Sequence, residues 1–189
     1  MKPELHLFIL WEKARRVESR ILEDLARQKD IAVVGKWELS FPGPAAEAFP
    51  AFYGRRKPVD GRLKARKCGC GAFLLVVVRN LNPTYGSRWA RDDKYYQANE
   101  LMYDLKTRYR EWAGRKHRVH GTTDRDEFAR DVFLLTGHTA DEWERGVPDG
   151  IYQTEDGDTV TASALMNAGV CPDFPREDFT SCVMVFEKK

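Results

Sequence analysis

Apolar positions follow two rhythms along this chain, short unbroken runs and stripes at helical spacing. Leu5 to Trp11 is a short run bounded by charge and predicts a buried strand. Ala14, Val17, Ile21 and Leu25 then mark one face of a helix across Lys13 to Gln28. Lys29-Asp30 turns the chain into a second strand, Ile31 to Leu39. Ala45, Ala48, Phe49 and Phe52 share a helical face over Pro44 to Phe52, a helix that Pro50 must end or kink. Ala72 to Val78 is the most apolar run and predicts a central strand covered on both faces. Ala98, Leu101, Met102, Leu105, Tyr109 and Trp112 predict a long helix from Lys94 to Ala113, with a short strand at Arg118 to His120 behind it. Phe128, Val132 and Leu135, widened by Ala129 and Phe133, predict a last amphipathic helix over Asp124 to Leu135. Thr123 is its expected N-cap, with Asp124 and Asp126 favouring the positive end of the dipole.

The order β-α-β-β-α-β is that of a ferredoxin-like α/β (α+β) sheet. Gly54 to Lys67 and Asn80 to Arg91 read as loops. From Gly137 to Gly157 the chain is polar and turn-rich; Thr161 to Asn167 suggests a short helix and Ser181 to Glu187 an edge strand. We therefore expect one domain, residues 1–136, with a C-terminal extension, 137–189, packed on it.

A length of 189 residues supports one real core, and 42% hydrophobic against 32% charged residues fits a soluble globular chain. The net charge of +2 does not by itself imply a polyanion partner. No apolar run reaches the roughly 20 residues of a membrane span, and the first residues lack a signal-peptide pattern. No membrane contact and a cytoplasmic protein are the expectation. The four cysteines do not make a disulfide scaffold in a chain of this length. Cys68-x-Cys70 is too tight for the usual zinc pair, so its glycines are read as serving a turn and no metal site is assigned.

The candidate chemistry centres on Arg115-Lys116-His117-Arg118-Val119-His120-Gly121-Thr122. An imidazole just before a helix start, among cations, suits capture of a phosphoryl group. It needs an acceptor for its second ring nitrogen, which Asp131 or a backbone carbonyl could supply; Arg108, Arg115, Lys116 and Arg118 are the nearby cations. The plainer reading keeps His120 as a partly buried histidine in a turn, with Thr122 as a cap.

His120-Gly121-Thr122, with an acidic residue at Asp131 eleven positions on, resembles the signature of the nucleoside diphosphate kinases. Leu5 to Leu39 is similar to that family's opening strand-helix-strand. Phe52-Tyr53 resembles its His-Tyr pair, and Cys70-Gly71-Ala72-Phe73 its Ser-Gly-Pro segment. The resemblance spans about Leu5 to Leu135. It implies a phosphohistidine at His120, with Thr122 and Asp131 orienting the ring. Tyr53, His117, Arg108, Arg115, Arg118 and Lys13 would then serve the nucleotide. It also implies ATP or another nucleoside triphosphate as donor, magnesium arriving with it, and a homo-oligomer. Glu12 falls where the family has a phosphate-binding lysine, which leaves only Lys13 or Arg15 to substitute and makes a changed acceptor the expectation. Two alternatives stay open. One is a non-catalytic nucleotide- or RNA-binding protein of the same fold, motivated by Glu12. The other is an interaction protein that meets an acidic partner or nucleic acid through the basic stretch Arg55 to Lys67. Trp89, Tyr95 and Tyr96, near Arg88, Arg91 and Lys94, could supply stacking if the fold brings them near.

Overall fold

The computed structural model describes residues 2–41, 43–53, 58–90 and 94–148. The expected helix at Thr161 to Asn167, the strand at Ser181 to Glu187, and Arg55, Arg56, Lys57, Arg91, Cys171 and Cys182 lie outside the described residues.

Strand β1 (Glu4–Leu10) is buried along its whole length and runs into a 3₁₀ turn, Glu12–Val17, before helix α1 (Glu18–Arg27). Strand β2 (Ile31–Leu39) follows, then α2 (Ala45–Tyr53), α3 (Gly61–Cys68) and β3 (Phe73–Asn80). A hairpin of β4 (Tyr85–Ala90) and β5 (Lys94–Asn99) leads into α4 (Glu100–Trp112). The described chain ends with β6 (Val119–Gly121), α5 (Arg125–Thr136) and α6 (Ala140–Arg145). The main sheet has the order β2-β3-β1-β6, and every neighbouring pair is antiparallel. Counting β6 as the fourth strand, this is the ferredoxin-like order that the hydrophobic pattern predicts.

Helices cover both faces. Leu7, Ile9 and Trp11 join Leu75, Val77, Phe49, Val132 and Trp143 in one core, to which α2, α3, α5 and α6 contribute. Phe8 and Leu10 join Ile21, Leu25, Val76 and Leu105 in the other, under α1 and α4. Alternation along β1 divides its side chains between the two, which is why neither rhythm of polar positions interrupts it. Trp143 of α6 packs edge-on against Trp37 at 5.2 Å, so residues beyond Gly137 enter the first core. No described helix is long and apolar enough to cross a membrane.

Five expected elements differ. The loop expected across Asn80 to Arg91 contains strand β4 (Tyr85–Ala90), paired with β5. Lys13 to Gln28 opens as a 3₁₀ turn and becomes α-helical only at Glu18. The loop expected across Gly54 to Lys67 contains α3, capped by Asp60, whose side chain accepts from the Leu63 amide at 2.9 Å. The long helix expected from Lys94 begins at Glu100, because Asn99 caps it and the preceding residues pair with β4 in a ladder from Tyr85↔Asn99 to Ala90↔Lys94. The cap of α5 is Asp124, not Thr123; the Asp124 carboxylate accepts from the Glu127 amide at 2.7 Å.

Pro50 sits inside α2 and has no N–H to offer the Ala46 carbonyl. Gly61 fills the space above that oxygen: a Cβ built on Gly61 would lie 1.7 Å from Ala46 O. Backbone therefore meets backbone where α2 and α3 join, beside the cleft described next.

Candidate functional site

β6 pairs with β1, setting His120 opposite Ile9 at the sheet edge. His120 points toward α2 and α5. Its ring meets Phe52 and Tyr53 edge-on at 5.7 and 5.6 Å. Asp131, in the second turn of α5, is fully buried and lies with Oδ2 2.6 Å from His120 Nε2. Asp131 Oδ1 accepts from Arg130 Nε at 2.8 Å. One carboxylate therefore serves both cations or donors, an oxygen to each. The ring's other nitrogen, Nδ1, has no hydrogen-bond partner among the described residues.

His120 lines a cleft of about 600 Å³ while being only 5% exposed itself. A cavity of this size is within the range that holds a nucleotide-sized ligand. Lys64 and Lys67 of α3, Lys106 and Arg110 of α4, and Arg130 of α5 line it with His117. Its carboxylates are Asp60 and Glu127. Burial pushes the Lys106 ammonium down, with Glu127 opposing; the Glu127 Oε2 lies 4.0 Å away. Burial alone would raise Glu127, but Lys106, His120 and the Thr123 amide outweigh it and hold it at about 2. Glu127 Oε2 accepts from Thr123 N at 2.9 Å. Burial likewise lowers Arg110, whose Nε donates to the Val119 carbonyl at 3.0 Å, fixing the guanidinium beside the histidine strand.

The expected residues divide into those the cleft gathers and those it does not. Tyr53 lines it; its hydroxyl accepts from Trp11 Nε1 at 3.1 Å, and burial holds its pKa well above that of an ordinary tyrosine. Lys64 lies over the Tyr53 ring at 4.0 Å. His117 and His120 line the cleft as well. Thr122 does not orient His120. It is fully buried on the other side of β6, where Oγ1 accepts from Leu7 N at 3.0 Å and lies 3.3 Å from His6 Nδ1. Alternation along a strand sends residues 120 and 122 to the same side only if the strand continues, and β6 stops at Gly121. Arg108 pairs with Asp24 of α1 at 3.0 Å, drawn to the opposite core by Tyr109 and its own bond to Asp24. Arg118 donates to the Ala113 carbonyl at 2.7 Å and Lys13 to the Arg66 carbonyl at 2.7 Å; neither lines the cleft. Arg115 lies in a separate depression beyond Arg110.

Glu12 does not line the cleft. Its Oε2 accepts from the Cys70 and Gly71 amides at 2.7 and 2.6 Å, which also lowers its pKa. Its charge is thereby consumed in the turn before β3. Cys68 is buried and donates to the His117 carbonyl at 3.0 Å, and burial pushes its thiol up to about 11. His120, Glu127 and Asp131 hold ligand-type atoms within 4.8 Å of one another. All are engaged, however, by Arg130, Lys106, Thr123 and each other, and two flanking cations disfavour a metal ion there. Lys106, Arg110, Glu127 and Arg130 escaped the sequence reading. Lys106 and Arg110 stand one helical turn apart on α4, a spacing that is a sequence signal only once the facing cleft is known.

No protein-family model matches the chain, and none of the curated proteins does. Among solved structures, the chain is similar to the Aquifex aeolicus nucleoside diphosphate kinase. The match has 12% identity and a TM-score of 0.46, covering 71% of this chain and 96% of that one.

Proposed function

We propose that this chain is a phosphotransferase that carries a phosphoryl group on His120 Nδ1. The carrying observation is the 2.6 Å bond from Nε2 to a buried aspartate, beside a cleft walled by Lys64, Lys106 and Arg110. With Nε2–H directed to Asp131, Nδ1 of the neutral ring keeps its lone pair and can act as the nucleophile. In the transfer step Nδ1 forms a bond to the terminal phosphorus of a nucleoside triphosphate. The bond from that phosphorus to the bridging oxygen breaks, and the nucleoside diphosphate leaves with the electron pair. Reversal onto a second acceptor returns the ring. Lys106 and Arg110 neutralise the charge spread over the equatorial oxygens. Asp60 caps α3 and Glu127 is committed to Thr123 and Lys106, so magnesium would be held mainly by the phosphates and water.

A second reading, a nucleotide- or RNA-binding protein without chemistry, is favoured by one observation: the His120 side chain is only 7% exposed and Asp131 is shared with Arg130. Incubation with γ-labelled nucleoside triphosphate distinguishes them. The transferase acquires acid-labile label that His120→Ala loses; nucleotide binding without label in the parent chain selects the binder, and label retained in His120→Ala removes the mechanism.

A further inference from the structure

Beside the first cleft lies a second of about 720 Å³, and the two share Lys106, Arg110, His117 and Glu127. They are lobes around one set of cations, but their walls differ. The first is closed by Pro58, Val59 and Leu63 at the start of α3. The second is closed by three aromatic rings, Trp89 and Tyr96 of the hairpin and Tyr103 of α4, with Lys116 at its side.

Among the described residues, the hairpin buries the apolar side chain of Ala98 but supplies no member to either hydrophobic cluster. It leaves Trp89 55% exposed, edge-on to Tyr95 at 4.9 Å, with Tyr95 itself 70% exposed. Large aromatic surface kept in water on an element outside the core points to a ligand. The rings are held on a fixed frame. The Asn99 amide donates to Thr123 O at 2.7 Å and the Tyr85 hydroxyl to Glu4 Oε2 at 2.7 Å, tying both ends of the hairpin to the domain, while the Glu100 amide closes its base on Thr84 O at 2.8 Å. Arg88 lies over the Tyr103 ring at 5.2 Å and pairs with Glu100. Flat rings adjoining a cation cluster match a ligand with a planar heterocycle and phosphates, since every base has a face to stack and its phosphates need charge. An acidic peptide would use the cations and leave the rings idle.

We propose that this second lobe is a nucleobase subsite: Trp89, Tyr96 and Tyr103 stack the base of a phosphate ester whose phosphates lie on Lys106, Arg110 and Lys116. This deepens the proposed function by assigning the place where the ligand's base is held, and it rests on that reading for the role of Lys106 and Arg110. The rings themselves are independent of His120, which does not line this lobe. A free nucleotide and the phosphorylated end of a single strand share this chemistry.

Calorimetric titration of the full chain tests it, using a nucleoside diphosphate, inorganic pyrophosphate and a short 5′-phosphorylated single-stranded oligonucleotide. The nucleoside diphosphate should bind more tightly than pyrophosphate. Stacking is worth about 1–3 kcal/mol per base, so Trp89→Ala combined with Tyr96→Leu should remove roughly fivefold to a hundredfold of nucleotide affinity and leave pyrophosphate unchanged. Tyr96→Phe, which keeps the ring, should retain the preference. Should the double variant fail to fold by circular dichroism, the exposed single change Trp89→Ala decides in its place. Tighter binding of the oligonucleotide, equally dependent on Trp89, assigns the subsite to a strand end; tighter binding of the diphosphate assigns it to free nucleotide. Equal affinity for nucleoside diphosphate and pyrophosphate, or a preference that survives the ring substitutions, overturns the proposal. Loss of labelling without loss of this preference would remove the transfer step and leave the subsite standing.

Discussion

Asp131→Asn changes one atom in the buried pair and forces a choice that the geometry decides. Oδ1 faces Arg130 and Oδ2 faces His120 Nε2. Arginine only donates, so the asparagine must turn its oxygen to Arg130 and its amide to the histidine. Nε2 then has to accept, and the ring proton moves to Nδ1, the nitrogen proposed to attack phosphorus. The variant should therefore fold and yet present the wrong tautomer, an error that costs about 10⁴ in rate where an imidazole must act as a base. Stability falls less. The ion pair with Arg130 becomes a charge–dipole hydrogen bond and the bond to His120 becomes neutral, a loss of about 1–3 kcal/mol in sum, because Arg130 is near enough to the surface to re-solvate. Nitrogen NMR of the labelled ring reads the tautomer directly, and rapid-quench labelling with γ-labelled nucleotide reads the rate. A ring still protonated at Nε2, or labelling within threefold of the parent chain, would refute this reasoning.

Two further expectations follow from the packing. Gly61→Ala places a methyl against the Ala46 carbonyl, a backbone atom that cannot rotate away, and should cost about 1–3 kcal/mol by overpacking; an unchanged midpoint in urea denaturation would contradict it. His6 is fully buried and its pKa is lowered to about 4, chiefly by burial and also by Arg125, with Glu127 opposing and Glu4 3.7 Å from Nε2. A histidine depressed in the folded state binds protons more readily when unfolded. Stability should hold above pH 6.5 and decline as pH falls from about 6.5 toward 4, a slope that His6→Gln should flatten in denaturation series across that window. The same slope in both proteins would sink it.

The elements legible in the sequence were those whose side chains all answer to one environment. β2 runs from Ile31 to Leu39 as its pattern predicts, and the valine run of β3 is central because both of its faces need cover. Asp131 was legible only through the eleven-residue spacing from His120 that the family resemblance supplies, since periodicity within α5 cannot relate it to a residue on β6. The start of α4 was obscured because Ala98 continues the helical stripe by coincidence while belonging to β5; the Asn99 cap was the countersignal. In α3 the Lys and Arg residues hid a helix whose marker, Asp60 before Gly61, is short and polar. Thr122 was assigned to the wrong histidine because chain proximity favours His120. Only strand pairing shows that β1 brings His6 to it.

That pairing has a consequence of its own. Asn99 Oδ1 accepts from the Asn80 side chain at 3.0 Å and from the Met102 amide at 3.1 Å, so its amide nitrogen faces His6 Nε2 at 3.4 Å. His6 Nε2 must then be the acceptor, and Nδ1–H is directed to Thr122. A proton added to Nε2 would set two donors against each other at the residue that begins α4, the helix carrying Lys106 and Arg110. Acid would accordingly loosen the start of the helix that carries the cations, and amides of the first turn of α4 should lose exchange protection as pH falls toward 4.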